Sequence, residues 1–403
     1  MENKAPVITS ELLGSNLGAI DAPPISDIEA KVESGFRISP AEARSLWQNS
    51  DLLSLARMAN FRRQAQNPGK NVTYLVDRNI NYTNVCNTDC TFCGFYRHSP
   101  NHPESYLLPR EIIGKKVEEA LALGATRILL QGGHNDELPY TYYVELVSWI
   151  HKNYPIEINS FSPSEIQQMR NVSGKSYPEI LMELKRAGMK GLPGGGAEIL
   201  DDEIRQRVSP KKIRSDEWIH VMEIAQSLDL TTTATMVIGF NESIEHRLNH
   251  LQRLRDLQDR SLEKGQRGFN CFISWTLQFD RNTSLGRSKN AAFMGASATE
   301  YLRNVALCRI FLDNITHHQA SWPTLGPDIA QVALHFGCDD IGSTMMEENV
   351  VSAAGGPSKS KWSMSPEELR GHIRGAGFTP AQRNSSFEIL HIFESEENSH
   401  ARQ

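Results

Sequence analysis

Along most of the chain, segments with the apolar pattern of a strand are followed by segments with the apolar pattern of a helix. This alternation predicts a βα repeat. Strand-like segments are predicted at 72–82, 126–130, 156–161, 191–193, 231–238, 268–275, 318–322 and near Ile341. Between them, apolar residues spaced three and four positions apart predict helices at 109–123, 140–152, 176–187, 216–228, 242–258, 299–312 and 327–336. Roughly seven or eight βα units favour an α/β barrel, complete or partial, with an open doubly wound sheet as the structural alternative.

Segments outside this repeat extend the predicted barrel at both ends. Residues 1–35 show little periodicity and predict a mobile lead-in. The string 39–42 (Ser-Pro-Ala-Glu) has the form of a helix start, and a second helix is predicted at 52–66. We therefore predict four parts along the chain: a mobile segment at 1–35, helices at 36–70, the barrel at 71–344, and a C-terminal part at 345–403 that contains a helix near 366–375 and caps the barrel mouth.

Composition narrows the class of protein. The chain has 403 residues, of which 39% are apolar and 22% charged, as in ordinary globular proteins. Its 42 Lys and Arg against 48 Asp and Glu give a net charge of -6, which disfavours general binding to nucleic acid or anionic lipid. No apolar run approaches the roughly 20 residues of a membrane helix, and residues 1–20 lack the pattern of a signal peptide. We expect a cytoplasmic protein that acts on a small molecule.

Three of the six cysteines are crowded into one short segment. Cys86, Cys90 and Cys93 are separated by three and two residues, whereas the other three are scattered along the chain. This spacing lets three thiolates face a single site. Two interpretations are open from the spacing alone: a zinc site with His98 as the fourth ligand, or an iron–sulfur cluster that leaves one iron free for a small molecule.

The cysteine motif follows the first predicted barrel strand and carries Phe92 before its third cysteine, and in this setting it resembles the radical S-adenosylmethionine (SAM) superfamily. The resemblance implies a [4Fe–4S] cluster on Cys86, Cys90 and Cys93, with SAM chelated to the fourth iron. Reductive cleavage of SAM then gives a 5′-deoxyadenosyl radical. It also implies a reducing electron donor such as flavodoxin or ferredoxin.

The same resemblance implies SAM-binding residues on later strands. A glycine-rich segment after the second strand would receive the SAM amino group, another after the fourth strand would approach the ribose, and arginines on the next helix would pair with the SAM carboxylate. The residues implied are Gln131, Gly132, Gly133, Glu198, Arg205 and Arg207.

Further strings across residues 72–390 resemble the cyclic dehypoxanthinyl futalosine synthase family. They lie at 81–86, 95–97, 194–200, 209–212, 232–236, 319–322, 342–345, 347–351 and 377–383. The resemblance implies a step in the futalosine route to menaquinone. The radical abstracts the ribose 4′ hydrogen of dehypoxanthine futalosine, the carbon radical adds to the substrate's own aromatic ring, and loss of an electron and a proton leaves a spirocyclic product.

That reaction needs a proton acceptor near the ring, and five residues are candidates. They are His134, Glu165, His318, Glu347 and Glu348.

Four segments depart from the family pattern: Asn135 replaces a proline, Asn159 and Phe240 replace histidines, and 274–278 replaces a Pro-Trp-x-Phe-Gln string. All four fall where barrel strands are predicted to end, so we expect them to reshape a substrate pocket that includes Asn159, Phe240, Trp275 and Gln278.

Two alternatives to this function remain from the sequence. The first is an enzyme on the same scaffold whose radical attacks another nucleoside-like or aromatic substrate. The second is a non-catalytic iron–sulfur or zinc binding protein derived from the fold.

Overall fold

Three helices precede the sheet in the computed structural model, which describes residues 23–355 and 363–394. They are α1 (Ile25–Glu33), α2 (Pro40–Asn49) and α3 (Leu52–Gln66). Ser39 caps α2 as predicted, because its hydroxyl accepts from the Glu42 amide (3.2 Å) while the Ser39 amide donates to the Glu42 carboxylate (2.7 Å).

Helix α1 contradicts the prediction of a mobile segment at 1–35. It is nine residues long and buries Ile28 and Val32, which are four positions apart on one face. A single apolar pair in so short a segment gives too little periodicity to be recognised in the sequence. Residues 1–22 of the predicted segment lie outside the described residues.

Strands from the whole length of the described chain form one sheet. They are β1 (Asn71–Leu75), β2 (Asp77–Asn81), β3 (Arg127–Gln131), β4 (Glu157–Ser160), β5 (Met189–Leu192), β6 (Thr231–Ile238), β7 (Phe269–Thr276), β8 (His317–Gln319), β9 (Asp340–Ser343), β10 (Thr379–Arg383) and β11 (Ile389–Ile392). Strands β2 to β9 are adjacent in chain order and parallel. A parallel bridge between Arg78 and Met346 joins the two ends of this curled sheet. The predicted α/β barrel is therefore confirmed.

Helices surround the barrel, most of them on its outside and two short ones at the mouth. They are α4 (Arg110–Ala122), α5 (Tyr140–Asn153), α6 (Pro163–Ser173), α7 (Tyr177–Ala187), α8 (Asp202–Val208), α9 (Ser215–Ser227), α10 (Ile244–Glu263), α11 (Ala298–Phe311), α12 (Trp322–Leu325), α13 (Pro327–Ala333), α14 (Val350–Ala353) and α15 (Pro366–Gly375). The two at the mouth are α12 and α14. In β6, buried residues alternate with half-buried ones, because successive side chains face the helices and the barrel lumen in turn. Among the described helices, none combines the length and the apolar character that crossing a bilayer requires.

The C-terminal part does not cap the barrel mouth as predicted. Strand β10 pairs with β1 in parallel, and the chain then turns under the barrel. There the Ser385 carbonyl accepts from the Asn270 side chain (3.0 Å), and the Phe387 ring stacks on His317 at 3.9 Å. Because Asn270 and His317 lie at the amino ends of β7 and β8, residues 385–387 close the end opposite to the predicted active site. Among the described residues of this part, 345–355 and 363–394, only the segment around α14 reaches that site.

Candidate active site

The carboxyl ends of the barrel strands surround a cavity of about 290 Å³, which we call the upper cavity. Parallel strands all end at one edge of the sheet, so the segments that follow them converge there. Residues from seven of these segments, together with α14, line the space: Asn81, Cys86, Cys90, Cys93, Gln131, Gly132, Gly133, His134, Ser162, Glu165, Gly195, Glu198, Lys212, Thr235, Trp275, Gln278, Thr324, Val350 and Val351 are among them.

Residues 82–97, which we call the cysteine loop, follow β2 and carry the three predicted cluster ligands. The loop is held by backbone bonds from Cys86 to Arg97 (2.9 Å) and from Arg97 to Asn84 (2.8 Å). The Thr88 hydroxyl lies 3.1 Å from the Cys86 sulfur and 3.5 Å from the Cys90 sulfur. Cys86 and Cys90 are buried and Cys93 is half-buried, and all three line the upper cavity. The loop therefore presents three thiols to one space.

The surroundings of these thiols fit an iron–sulfur cluster better than a single zinc ion. The His98 side chain is 63% exposed and pairs with Asp89 at 3.0 Å, so it does not supply a fourth ligand. Within the described residues, no three His, Cys, Asp or Glu side chains are arranged to hold one metal ion. An iron–sulfur cluster instead takes one thiolate on each ligated iron. Burial raises the pKa of Cys90 to about 12, so a bound iron would have to displace the thiol proton.

The glycine-rich segment after β3 lies directly against the cysteine loop. A Cβ atom at Gly133 would clash with the Val85 carbonyl, and one at Gly132 would lie 2.6 Å from the Tyr82 ring. Gly133 also donates its amide to the Thr83 carbonyl at 2.9 Å. Only glycine allows this close approach, and it places Gln131, Gly132 and Gly133 in the cavity wall, where the sequence predicts SAM-binding residues.

Glu165 is a buried carboxyl group in the cavity wall. It lies in the first turn of α6, which Ser162 caps. One carboxylate oxygen accepts from the Tyr82 hydroxyl (3.0 Å) and the Gly132 amide (3.0 Å), and the other accepts from the Ser162 hydroxyl (2.9 Å). Burial outweighs these bonds and raises the pKa of Glu165 to about 7. The group can therefore exchange a proton near neutral pH.

A buried ion pair after β5 forms another part of the cavity wall. The Lys212 ammonium donates to a Glu198 carboxylate oxygen at 2.7 Å, and both residues line the cavity. Burial would lower the pKa of Lys212, but the neighbouring Cys90 and Glu198 outweigh it and hold that pKa above its usual value. Lys212 is thus a fixed positive charge beside the cysteine loop. Sequence reasoning gave it no role, although it belongs to the family-like string 209–212.

The two predicted SAM-carboxylate ligands do not reach the cavity. The buried Arg205 guanidinium donates to the backbone carbonyls of Ile213 (2.9 Å), Ala197 (2.5 Å) and Gly196 (3.1 Å). Arg207 donates to the Phe240 carbonyl at 2.8 Å. Both side chains are committed to holding loops, and Arg205 in particular shapes the segment that carries Glu198. Neither side chain lines the upper cavity, and their pairing with the SAM carboxylate stays a prediction.

The predicted substrate-pocket residues separate into two groups. Trp275 and Gln278 line the upper cavity. Asn159 lies deeper, in the lumen below it. Phe240 is fully buried outside the cavity and packs on Phe92, with ring centroids 5.3 Å apart. Phe240 therefore does not shape the pocket directly, contrary to the expectation from sequence.

Only two of the five candidate proton acceptors line the upper cavity, namely Glu165 and His134. His134 is buried, and burial lowers its pKa to about 3, so its imidazole stays neutral. The His318 side chain is buried away from the cavity, beside the Phe272 ring at 5.4 Å.

The two glutamates after β9 are also placed outside the upper cavity. Glu347 forms ion pairs with Arg78 (2.7 Å) and Lys116. Glu348 accepts from the amides of Val350 (3.0 Å), Val351 (2.9 Å) and Ser352 (3.2 Å). Its carboxylate thus caps α14, whose residues Val350 and Val351 line the cavity.

Family models match two parts of the chain. Residues 80–254 match the radical SAM superfamily, and residues 266–396 match the CofH/MqnC C-terminal region. A cyclic dehypoxanthine futalosine synthase of Halalkalibacterium halodurans is 43% identical over 374 residues, covering 93% of this chain and 97% of that protein. A 5-amino-6-(D-ribitylamino)uracil–L-tyrosine 4-hydroxyphenyl transferase of Methanopyrus kandleri is 37% identical over 327 residues, covering 81% and 86%.

A solved structure supports the same fold. Methylornithine synthase superposes with a TM-score of 0.69 at 16% identity, covering 88% of this chain and 97% of that one. The cysteine loop at the mouth of an α/β barrel agrees with this family in both sequence and architecture. The chain therefore belongs to the radical SAM superfamily, whose members bind a [4Fe–4S] cluster and SAM, and it is a radical SAM enzyme of the CofH/MqnC group.

Proposed function

We propose that this enzyme cyclises dehypoxanthine futalosine to cyclic dehypoxanthine futalosine in the futalosine route to menaquinone. The observation that carries the proposal is the relative of that name, which is 43% identical over 97% of its own length.

The residues of the upper cavity suit the parts of this reaction. Cys86, Cys90 and Cys93 would hold the cluster, which together with SAM supplies the 5′-deoxyadenosyl radical. Gly132 and Gly133 let the segment after β3 lie directly against the cysteine loop, so that both segments form one wall of the cavity. The barrel wall keeps the reacting atoms away from bulk water, and this protects a radical from side reactions.

Glu165 is the proton acceptor that the geometry favours. The cyclised substrate must lose one electron and one proton to restore a closed shell, and the proton needs a base in the cavity wall. With a pKa of about 7, Glu165 is substantially ionised at neutral pH and binds a proton readily. The pKa of His134 is lowered to about 3, so its protonated form would be far less favourable.

We propose further that an acidic electron-carrier protein, of the flavodoxin or ferredoxin kind, docks beside the cysteine loop. Residues 277–297, which we call the basic loop, contact the cysteine loop on both sides of Cys93. The Leu285 amide donates to the Thr91 carbonyl at 2.7 Å, and a Cβ atom at Gly94 would lie 2.9 Å from the Asn282 side chain. An electron delivered to the basic loop would therefore enter close to the cluster ligands.

The charge of the basic loop suits such a partner. Arg281, Arg287 and Lys289 are exposed, and Phe293 beside them is 72% exposed. The loop has one acidic residue, Asp280, so it is positive in a chain whose net charge is -6. A positive rim around an apolar side chain is typical of a surface that steers an acidic partner into a brief encounter.

A second function on the same scaffold is favoured by one observation. The Methanopyrus kandleri transferase is also 37% identical over most of its length, so this scaffold is shared by enzymes named for different substrates. Asn159, where the resembling family carries a histidine, lies in the lumen and would contact the substrate of either reaction.

Anaerobic reconstitution tests the proposed function. The protein would be loaded with iron and sulfide, reduced with dithionite and given SAM, with 5′-deoxyadenosine as the first readout. Dehypoxanthine futalosine, or the ribitylaminouracil with tyrosine, would then be added, and the products would be identified by mass. We expect the spirocyclic product from the first substrate. Product from the second substrate alone would replace the proposal with the transferase reaction.

The cluster ligands give the first testable prediction. Replacing Cys86, Cys90 or Cys93 with Ala should remove most of the brown absorbance and all 5′-deoxyadenosine, because three thiolates are needed to hold the cluster. Cys308→Ala removes a buried thiol that does not line the cavity and should retain both. One zinc per chain and no iron after anaerobic loading would contradict the prediction.

A further inference from the structure

A second space lies in the barrel lumen directly beneath the upper cavity. It has a volume of about 110 Å³, and we call it the lower chamber. Gln131, Gly195, Thr235 and Trp275 line both spaces, so the two meet at this level. A ligand in the upper cavity could therefore extend one end into the lower chamber.

The lumen is less apolar than is usual for such a barrel. Barrel interiors are normally filled by layers of branched apolar side chains. Here Leu129, Leu192 and Ile273 supply apolar wall, but Thr231, Thr233, Asn159 and Gln319 line the same space. The floor is Phe387, over which the Arg383 guanidinium lies at 3.8 Å. The lower chamber is thus an enclosed space with mixed walls, which is the usual character of a ligand site.

Three polar atoms around the lower chamber lack hydrogen-bond partners among the described residues. They are the side-chain oxygen of Asn159, the indole nitrogen of Trp275 and the hydroxyl of Ser385. Asn159 is only 5% exposed, as is Ser385. Buried polar groups are nearly always paired, so an occupant of the chamber that bonds these atoms would be favoured. Asn159 supplies an acceptor and Trp275 supplies a donor.

The charges at the lower chamber are already neutralised. Arg127 pairs with Asp77 at 2.5 Å, and Arg383 pairs with Asp340 at 2.6 Å. Each arginine therefore has a carboxylate partner, and the chamber offers no free charge to an anion. Its occupant should be uncharged and should both donate and accept hydrogen bonds, which are the properties of a hydroxyl group.

We propose that the lower chamber is a substrate subsite that binds an uncharged, hydroxyl-bearing fragment of a sugar or polyol. A hydroxyl there donates to the Asn159 oxygen and accepts from the Trp275 nitrogen. The proposal deepens the proposed function and rests on it for the orientation of the substrate. In that reaction the ribose 4′ carbon reacts in the upper cavity, so it is the ribose hydroxyl groups that would extend into the lower chamber. It suits both candidate reactions, since one substrate carries a ribose and the Methanopyrus kandleri relative is named for a ribitylamino compound.

Two substitutions test the subsite. Asn159→Leu keeps the size of the side chain but removes its polar atoms, and Trp275→Phe removes the N–H but keeps an aromatic ring. Each should raise KM for the substrate about ten-fold, the usual consequence of losing one buried hydrogen bond to a ligand. The iron content and the brown absorbance after reconstitution should match those of the wild type, which shows that the fold and cluster are intact. Asn153→Leu, at the exposed end of α5, is the matched control and should leave KM unchanged.

A substrate analogue that lacks one sugar hydroxyl decides whether the contact is direct. The analogue should raise KM for the wild-type enzyme, and Asn159→Leu should cause no further rise with the analogue that has lost the contacting hydroxyl. If KM is unchanged in Asn159→Leu, or if the two losses simply add for every analogue, the lower chamber holds ordered water only and the proposal is overturned. Failure of the proposed function is seen separately, as absence of turnover of dehypoxanthine futalosine by the wild type. The same comparison would then be made with the ribitylaminouracil.

Discussion

One carboxyl group, Glu165, accounts for the pH dependence that we expect at this site. Its pKa of about 7 means that the ionised, proton-accepting form becomes dominant as the pH rises through neutrality. Product formation should therefore rise across this range. Glu165→Gln keeps an acceptor for Tyr82 and Gly132 but cannot take up a proton. It should lower product formation by about 10²–10⁴-fold and abolish the rise with pH, as measured in a pH–rate profile.

The same group gives a stability control for that experiment. Because the folded-state pKa of Glu165 lies above the ordinary value of 4.5, the folded protein holds this proton more tightly than the unfolded chain does. Its contribution to stability is complete below about pH 4.5 and is lost as the pH rises through about 7. Glu165→Gln should remove this part of the pH dependence of urea unfolding. If the variant keeps the wild-type pH–rate profile, the base is another residue.

Phe240 shows how position in the fold changes the expected effect of a substitution. From sequence, replacing Asn159 and Phe240 with the histidines of the resembling family would supply proton acceptors and raise turnover of dehypoxanthine futalosine. The Phe240 ring is fully buried against Phe92 and does not line the cavity. Phe240→His should therefore add no base, and it should lower the free energy of unfolding by about 1–3 kcal/mol, because it buries an unpaired polar ring. Urea denaturation measures this loss, and Asn159→His serves as the comparison. A gain in turnover from Phe240→His alone would contradict the prediction that this change adds no base.

The chemistry of the site was predictable where a local motif fixes it. The three cysteines lie in one short segment and Gln131, Gly132 and Gly133 in another, and the two segments meet at the cavity as expected. The basic residues were not predictable in this way. Arg205 was expected in the site and Lys212 was not, because the direction of each side chain depends on how α8 and the loop after it fold back on the strand.

At the scale of elements, periodic segments were predicted well and irregular ones were not. The bounds of α3, β6 and α15 agree with the sequence pattern, because each has a clear period or a strong capping signal. Strand β11 was missed because all four of its residues are exposed, which leaves no alternation to recognise. The break between β1 and β2 was also missed, since apolar residues continue through it and only pairing with different neighbours separates the two strands.

The short helix α14 depends on Glu348, and this gives a prediction at the scale of an element. Three amides at the start of α14 donate to this buried carboxylate. Glu348→Ala leaves these amides unpaired and should lower the free energy of local opening of α14 by about 1–2 kcal/mol. The amides of residues 350–352 should therefore exchange hydrogen for deuterium faster. Glu347→Ala is the matched control, because Glu347 pairs with Arg78 and Lys116 instead. Equal exchange in both variants would show that the helix does not rely on its cap.

At the scale of the whole molecule, the basic loop is a positive surface on a negative protein, and its position next to the cysteine loop makes its role testable. Reversing Arg281 and Arg287 to Glu should lower flavodoxin-supported 5′-deoxyadenosine formation about ten-fold or more, since steering of an acidic partner depends on this charge. Dithionite is small and needs no docking surface, so dithionite-supported formation should be unchanged. Added salt should slow the wild type with flavodoxin, as screening weakens the attraction.

The control for that experiment is the same change of charge at the other end of the barrel. Lys152 and Lys190 are exposed where α5 leads into β4 and where β5 begins, which is the amino end of the strands. Reversing both to Glu alters the net charge equally but leaves the basic loop intact, so flavodoxin should still support cleavage. If both double variants lose activity alike, net charge alone governs the encounter. If the basic-loop variant also fails with dithionite, these arginines act on the cluster site and not on docking. Only a loss that is confined to flavodoxin-supported 5′-deoxyadenosine formation identifies the surface where the protein donor binds.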